Sequence, residues 1–446
     1  MPFHEVTEAL NLPRDRSRTS VFQAMFALQE REWHTLQDIC PADGDIKFNL
    51  KQFAHNTSKF EVHLQLRYDG QGGLEGDFHI ATDLFTPETG NRMVEGYKKL
   101  MACCIDNPDL SVDFHDITPQ FDRELSLHCN DTTAKYEDKP LLDRISDISR
   151  ELVAFVCQNG RIQTYGEYLD KSELAAAQLH TKFNVEPGDR VGVLMKSSPE
   201  AMGLILAILS LGGSHVIVDP DKTPLDRCGV TFADAGVKVV VVDNEASSAF
   251  DGLSQGFSLV EWKDISDSDL RYPTSPRPPI KNMHGEDVFG IYYTSGTTGK
   301  PKGVLITMAN VCHLSSWWQE FFSLVPADRV LLFSSMSFIM SLRQWIPTLC
   351  CGAAVVIPSS SLDFEATIRD CGVNKLVCTP SALSSLDINL AKNIDAVQVA
   401  GEPPQIQVLK AWDNIVQDVF IGLGPTGKNS ILDFVPILIS YSRAFV

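Results

Sequence analysis

The chain has 446 residues, 44% of them hydrophobic and 21% charged, with a formal net charge of −19. That is enough apolar material for about two or three globular domains and rules out a disordered chain. The negative balance, with no basic block to offset it, argues against a nucleic-acid partner or an anionic membrane surface. The eleven cysteines have neither C-x-x-C nor Cys/His zinc spacing and read as buried apolar residues of a reducing compartment. No signal-peptide pattern opens the chain, and apolar runs such as 237–242 and 431–440 are too short to span a bilayer. A cytoplasmic location is expected.

Residues 1–115 alternate helix-like and strand-like patterns and close on an amphipathic segment at 87–101. From 116 to 138 the composition turns polar and irregular, which predicts a linker over 116–140. A second globular stretch, 141–427, alternates predicted strands at 190–195, 215–219 and 237–243 with helical patterns at 168–182 and 199–211. Strands alternating with helices predict parallel sheet and an α/β class. Gly212 and Gly213 end a helix and turn the chain into a strand, which Asp219-Pro220 then ends. These positions read as scaffold.

Residues 294–303 read Thr-Ser-Gly-Thr-Thr-Gly-Lys-Pro-Lys-Gly. Exposed backbone N–H groups, hydroxyls and two lysine tips suit a polyphosphate. The Walker pattern G-x-x-x-x-G-K-[ST] does not fit, because Pro301 stands where the metal-binding hydroxyl belongs and Thr294 where the first glycine belongs. The flanks, 288–293 and 304–306, are β-branched and aromatic, so the loop is predicted to join two strands.

With its flanks, Tyr-Thr-Ser-Gly-Thr-Thr-Gly-Lys-Pro-Lys-Gly-Val over 293–304 resembles the signature of the adenylate-forming enzymes, which include acyl-CoA synthetases, luciferases and the adenylation domains of nonribosomal peptide synthetases. The resemblance implies that the loop holds the β- and γ-phosphates of ATP while a carboxylate attacks the α-phosphorus, and that Mg²⁺ takes part. Thr294, Ser295, Gly296, Thr297, Thr298 and Gly299 would then cradle phosphate, and Lys300 and Lys302 would neutralise it. Further elements resemble the family in order: Gln-Thr-Tyr-Gly-Glu-Tyr-Leu at 163–169, Glu-Pro-Gly-Asp-Arg-Val-Gly-Val-Leu at 186–194, and Leu-Ser-Leu-Gly-Gly-Ser-His-Val-Ile-Val-Asp-Pro at 209–220. Gln-Val-Ala-Gly-Glu-Pro at 398–403 resembles the turn whose Gly401 and Glu402 would border adenine. Gly-Leu-Gly-Pro-Thr-Gly at 422–427 would bring Leu423 and Thr426 to the nucleotide. There Leu423 replaces the stacking aromatic, and Gly427 replaces the glutamate that helps hold Mg²⁺.

The segment 328–345 is similar to the strand and turn that build the acid pocket, and places Phe338, Ile339, Met340 and Arg343 along it, with Gln398, Ala400 and Gly422 completing the wall. Ile339 stands where amino-acid-activating members carry the aspartate that pairs with the substrate ammonium. An unpaired buried ammonium costs several kcal/mol, so a hydroxy, keto or aryl acid is expected in place of a standard α-amino acid. Arg343 is read two ways, as a bidentate donor to a second carboxylate or keto oxygen, or as a structurally paired arginine.

Residues 14–26 and 73–85 resemble late motifs of condensation domains, and a condensation domain followed by an adenylation domain is the order of a peptide synthetase elongation module. The implied fold is the C-terminal part of a condensation-type α/β sandwich over 1–115, then the large subdomain of an adenylate-forming enzyme, with 428–446 unmatched. The implied partners are a carboxylic acid and, in a parent synthetase, a carrier domain with its phosphopantetheine arm. The His-His-x-x-x-Asp-Gly run of condensation chemistry, the ribose-binding aspartate, the small C-terminal subdomain with its lysine and the carrier domain itself are not found. This suggests a truncated gene model, since Gly427-Lys428 can be encoded by a splice donor, and argues against catalysis by the isolated chain. Two alternatives stay open, a remnant that at most binds nucleotide and a stand-alone acyl-CoA synthetase-like ligase.

Overall fold

The computed structural model describes residues 2–10, 21–29, 57–69, 71–131, 133–134, 136, 139–243, 256–266, 283–294, 301–359, 363–422 and 436–437. They divide into two compact units, the first ending at Thr133 and the second beginning at Ala134.

In the first unit β1 (Ala24–Gln29) pairs in parallel with β2 (Val62–Tyr68), which pairs antiparallel with β3 (Leu74–Ile80). The amphipathic segment forms the helix Pro87–Asp106, capped by Thr86, whose hydroxyl accepts from the Thr89 N–H. Proline in the first turn costs nothing there, because that N–H has no helical partner. The helix lies close on the sheet at Gly90, where a Cβ would come within 2.7 Å of Ile80 Cδ1. Inside the stretch expected to be linker, Gln120–Asn130 is helical. Phe121, Leu125 and Cys129 recur at helical spacing there, and Asp122 pairs with Arg92 of the longer helix at 2.5 Å. Polar composition hid this three-residue stripe.

The second unit is built on two sheets. Its strands, in chain order, are β4 (Val153–Cys157), β5 (Ile162–Thr164), β6 (Arg190–Leu194), β7 (Ser214–Val218), β8 (Val239–Val242), β9 (Ser258–Glu261), β10 (Val288–Thr294), β11 (Lys302–Thr307), β12 (Arg329–Leu331), β13 (Ala354–Ile357), β14 (Lys375–Cys378), β15 (Ala396–Ala400), β16 (Asp418–Gly422) and β17 (Pro436–Ile437). One sheet has the order β11-β10-β7-β6-β8-β9 and the other β17-β16-β15-β14-β12-β13-β4-β5. Both are largely parallel, and their inner strands, such as the Val-Val-Val-Val of β8, are buried on both faces, as sheets covered by helices on each side must be.

The helices Tyr165–Phe183 and Pro199–Ser210 share a core with Val191, Val193 and Ile217 of the first sheet and Phe155, Val355 and Ile357 of the second. Local signals start both helices. Thr164 and Glu167 form a reciprocal capping box, and Ser198 caps the second helix through the Ala201 N–H at 3.1 Å, each satisfying N–H groups with no helical acceptor. Gly212, at φ +74°, then carries the chain into β7, as expected from the paired glycines. No helix among the described residues is long and apolar enough to cross a membrane, and the ten described cysteines are free thiols.

The contact between β7 and β10 is unusually demanding. Gly290 pairs with His215, and the His215 ring, fully buried, lies over the glycine so that any Cβ there would overlap it. The ring packs edge-on to Phe289 and Tyr292, with Nε2 3.3 Å from the Tyr292 hydroxyl. Burial holds the imidazole neutral, with its pKa pushed down from 6.5 to about 3.

Two outcomes follow. Gly290→Ala should lower the unfolding free energy by about 1–3 kcal/mol, the usual cost of overpacking, in urea titrations read by tryptophan fluorescence; an unchanged midpoint would show that the ring moves aside freely. The depressed imidazole pKa means that the unfolded chain binds a proton below pH 6.5 while the folded chain does not until about pH 3. The stability from this group is therefore complete above pH 6.5 and falls with pH through that window, by up to about 1.4 kcal/mol per unit. His215→Gln should flatten the decline between pH 6.5 and 5 by that amount; identical pH profiles for the two proteins would refute it.

Candidate functional site

The predicted strand-loop-strand is present. β10 and β11 run antiparallel with Thr294 opposite Lys302, so a hydroxyl and an exposed ammonium stand on either side of the loop mouth. Ser295, Gly296, Thr297, Thr298, Gly299 and Lys300 lie outside the described residues. One pair earlier, Tyr293 faces Gly303, where a Cβ would sit 3.0 Å from the Tyr293 ring. The Tyr293 hydroxyl donates to Asp234 Oδ2 at 2.6 Å. Burial and that carboxylate raise the phenol pKa, so it stays a donor and ties the hairpin to the helix Leu225–Asp234.

The residues expected to line the acid pocket are scattered in sequence and gather at the carboxyl ends of parallel strands, where α/β sheets bind ligands. Phe338, Ile339 and Met340 follow β12, Gln398 and Ala400 lie in β15, and Gly422 ends β16 directly opposite Ala400. Arg343 belongs to the helix Leu342–Cys351 and is only 2% exposed. Its Nη1 donates to Gln398 Oε1 at 3.3 Å, and its guanidinium carbon lies 5.3 Å from the Trp318 ring centre, in reach of the ring's negative face. Burial pushes the guanidinium pKa down to about 9. Gly422 lies close under the Gln398 amide: a Cβ there would come within 2.5 Å of Gln398 Nε2, so that amide would have to shift.

Ile339 packs against the large core shared by the two sheets. Met340 packs on the aromatic group of Trp318, Phe322 and Phe420. Phe338 is 66% exposed, its ring turned to solvent. Gly401 adopts φ +97°, a conformation only glycine takes readily, and the Glu402 carboxylate accepts from the Ser381 hydroxyl. Leu423, Thr426 and Gly427 lie outside the described residues. The oxygen and nitrogen donors at the loop mouth suit phosphate. Among the described residues no group of three His, Cys, Asp or Glu is placed to hold a metal ion.

Sequence reasoning missed the residues that hold the pocket wall in place. The fully buried Gln344 accepts from the Ser334 N–H at 2.9 Å and donates to the Val377 carbonyl at 3.1 Å. Ser197 accepts from the Met336 N–H at 3.0 Å, and Ser335 donates to Asp219 at 2.5 Å. Nothing local marks these four. Buried polar side chains inside apolar runs are the one cue that the sequence offers, because such groups must find partners.

The comparisons with known proteins follow this geometry. Residues 142–434 match the AMP-binding enzyme family and residues 1–126 the condensation domain family. The chain is 29% identical over 376 residues to surfactin synthase subunit 2 of Bacillus subtilis, covering 82% of this chain and 10% of that protein. It is 27% identical over 444 residues to bacitracin synthase 2 of Bacillus licheniformis, covering 95% and 16%. The chain thus spans less than a fifth of the length of these relatives. Among solved structures, the nonribosomal peptide synthetase FmoA3 superposes with a TM-score of 0.67 at 24% identity, covering 82% of this chain and 40% of that one. The N-terminal subdomain of Klebsiella oxytoca NpsA gives 0.58 at 21%, covering 67% and 76%. These two likenesses speak for the fold alone. The chain belongs to the AMP-binding enzyme family, joined to a condensation-type segment as in nonribosomal peptide synthetases.

Proposed function

We propose that the second unit activates a carboxylic acid with ATP, the acid's carboxylate attacking the α-phosphorus to give an acyl-adenylate and pyrophosphate, as a step of nonribosomal peptide synthesis. We further propose that the acid is a hydroxy, keto or aryl acid. The observation that carries the second point is Ile339, partly buried and packed against the apolar core, at the position matched to the ammonium-binding aspartate. An α-ammonium brought there would lose its hydration without gaining a counter-charge. What the wall does offer is donors: the Arg343 guanidinium and the Gln398 amide, which suit a keto oxygen, a hydroxyl or a second carboxylate.

Thr294 and Lys302, with the loop between them, would hold the polyphosphate, supplying charge neutralisation where negative charge shifts during transfer. ATP supplies the electrophilic phosphorus, and the chain's own task is to orient the two reactants. The turn at Gly401 would border adenine, and in a parent synthetase the acyl group would pass to a carrier domain's phosphopantetheine thiol. A second reading, a remnant that binds nucleotide without turning it over, is favoured by Gly427, which offers no carboxylate to Mg²⁺. Calorimetric ATP binding together with single-turnover adenylate formation separates the two.

Acid-dependent pyrophosphate exchange by the full chain should occur with hydroxy, keto or aryl acids, and Ile339→Asp should add exchange driven by α-amino acids; strong exchange with a standard α-amino acid in the unaltered protein would overturn the substrate class. Lys302→Ala should weaken ATP binding by about 10-fold, the scale of one charged hydrogen bond. An unchanged calorimetric Kd would remove Lys302 from the nucleotide site.

A further inference from the structure

Asp219 follows β7 and is 6% exposed. On one side its Oδ1 accepts from the Asp221 N–H at 3.0 Å, and its carbonyl accepts from the N–H groups of Lys222 and Thr223 at 3.2 and 3.0 Å, so the turn after the strand is built around this residue. On the other side Oδ2 accepts from the Ser335 hydroxyl at 2.5 Å, a length typical of a hydroxyl on a carboxylate. The two residues are 116 positions apart and follow strands of different sheets.

What each end of this bridge is attached to gives it meaning. β7 pairs with β10 at Gly290 and Ile291, and β10 runs straight on to Thr294 at the phosphate-loop mouth. Ser335 follows β12, and its carbonyl accepts from the Phe338 N–H at 2.9 Å, opening the turn that carries Ile339 and Met340. Ser341 closes the same turn by donating to the Phe338 carbonyl at 2.7 Å. A parallel tie runs from Ser197, after β6, to the Met336 N–H. Two adjacent strands of the phosphate-loop sheet thus grip one segment of the acid-pocket sheet.

We infer that Asp219 is a positioning residue: through Ser335 it fixes the acid-pocket wall relative to the strand that ends at the phosphate loop, and so sets the distance between the carboxylate and the phosphorus it attacks. The inference rests on the acid-activating function proposed above. A residue with this role leaves each ligand's own binding contacts intact and acts on their mutual alignment, where an error of about 1 Å can cost about 100-fold in rate.

The test compares the full-length protein with Asp219→Asn, Ser335→Ala and the double variant, measuring calorimetric ATP affinity, kcat and KM for acid-dependent pyrophosphate exchange, and deuterium uptake over 334–341. Either single change should lower kcat by about 30- to 100-fold with ATP affinity unchanged within about 2-fold. The double variant should be no worse than either single one, as for partners in one interaction. Retained kcat with only a lowered melting temperature, multiplying losses, or ATP affinity falling in step with kcat would each overturn the inference. If the unaltered protein exchanges pyrophosphate with no acid, the functional proposal fails instead. Deuterium uptake then decides on the bridge, with a rise over 334–341 in both variants supporting it and unchanged uptake refuting it.

Discussion

The phosphate-loop hairpin joins its sheet through a short stretch of parallel pairing, Gly290 and Ile291 of β10 against His215 and Val216 of β7, with the Tyr293–Asp234 bond and core packing of Phe289, Tyr292 and Ile306 beside it. That pairing needs a residue without a side chain at 290, because the imidazole of His215 occupies the space above it. A neutral, fully buried histidine is an expensive filler, since it must be kept unprotonated at the cost of acid stability. Phe289 and Tyr292 of β10 pack edge-on to its ring. The placement of Thr294 at the end of β10 depends on this contact.

The wall proposed for the acid pocket depends on a different kind of interaction. It is an irregular segment, 334–341, between a three-residue strand and a helix, and irregular backbone in a protein interior has to find hydrogen bonds outside the regular ladders. Gln344, Ser197 and Ser341 provide them, and Asp219 accepts from the Ser335 hydroxyl of the same segment. The same bonds that satisfy the backbone also fix the segment against both sheets, so satisfying buried polar groups and positioning a site are here one act. Arg343 illustrates the point from the other side. Its burial against Trp318 and its bond to Gln398 give the wall a charged donor held in one orientation, which serves either the fold or a bound acid.

Residues that signal locally were legible. The β-branched and aromatic flanks of the glycine-rich loop announced two strands, and Gly212-Gly213 announced a strand entry, because each acts on backbone within a few positions. The inner strands β6, β7 and β8 were readable for the same reason, since burial on both faces leaves a nearly unbroken apolar run, whereas β9 was not read from the sequence. The helix Gln120–Asn130 was not, because its apolar stripe is three residues wide and its polar surroundings are those of a linker. Asp219 was read as a strand terminator, which is what its neighbours in sequence show.

The sequence by itself therefore determined the class of fold and the two strands that flank residues 295–301, since these follow from periodicity and residue type, whereas the set proposed for the acid pocket came from resemblance to the adenylate-forming enzymes. Only the tertiary structure decided that Ser335 meets Asp219, that Arg343 meets Gln398, and that Gly422 lies close under that amide. These contacts join residues 116 and 55 positions apart through the order in which strands pack side by side. Strand order is set by the burial of whole faces, a property of the assembled layers that no short window of residues contains.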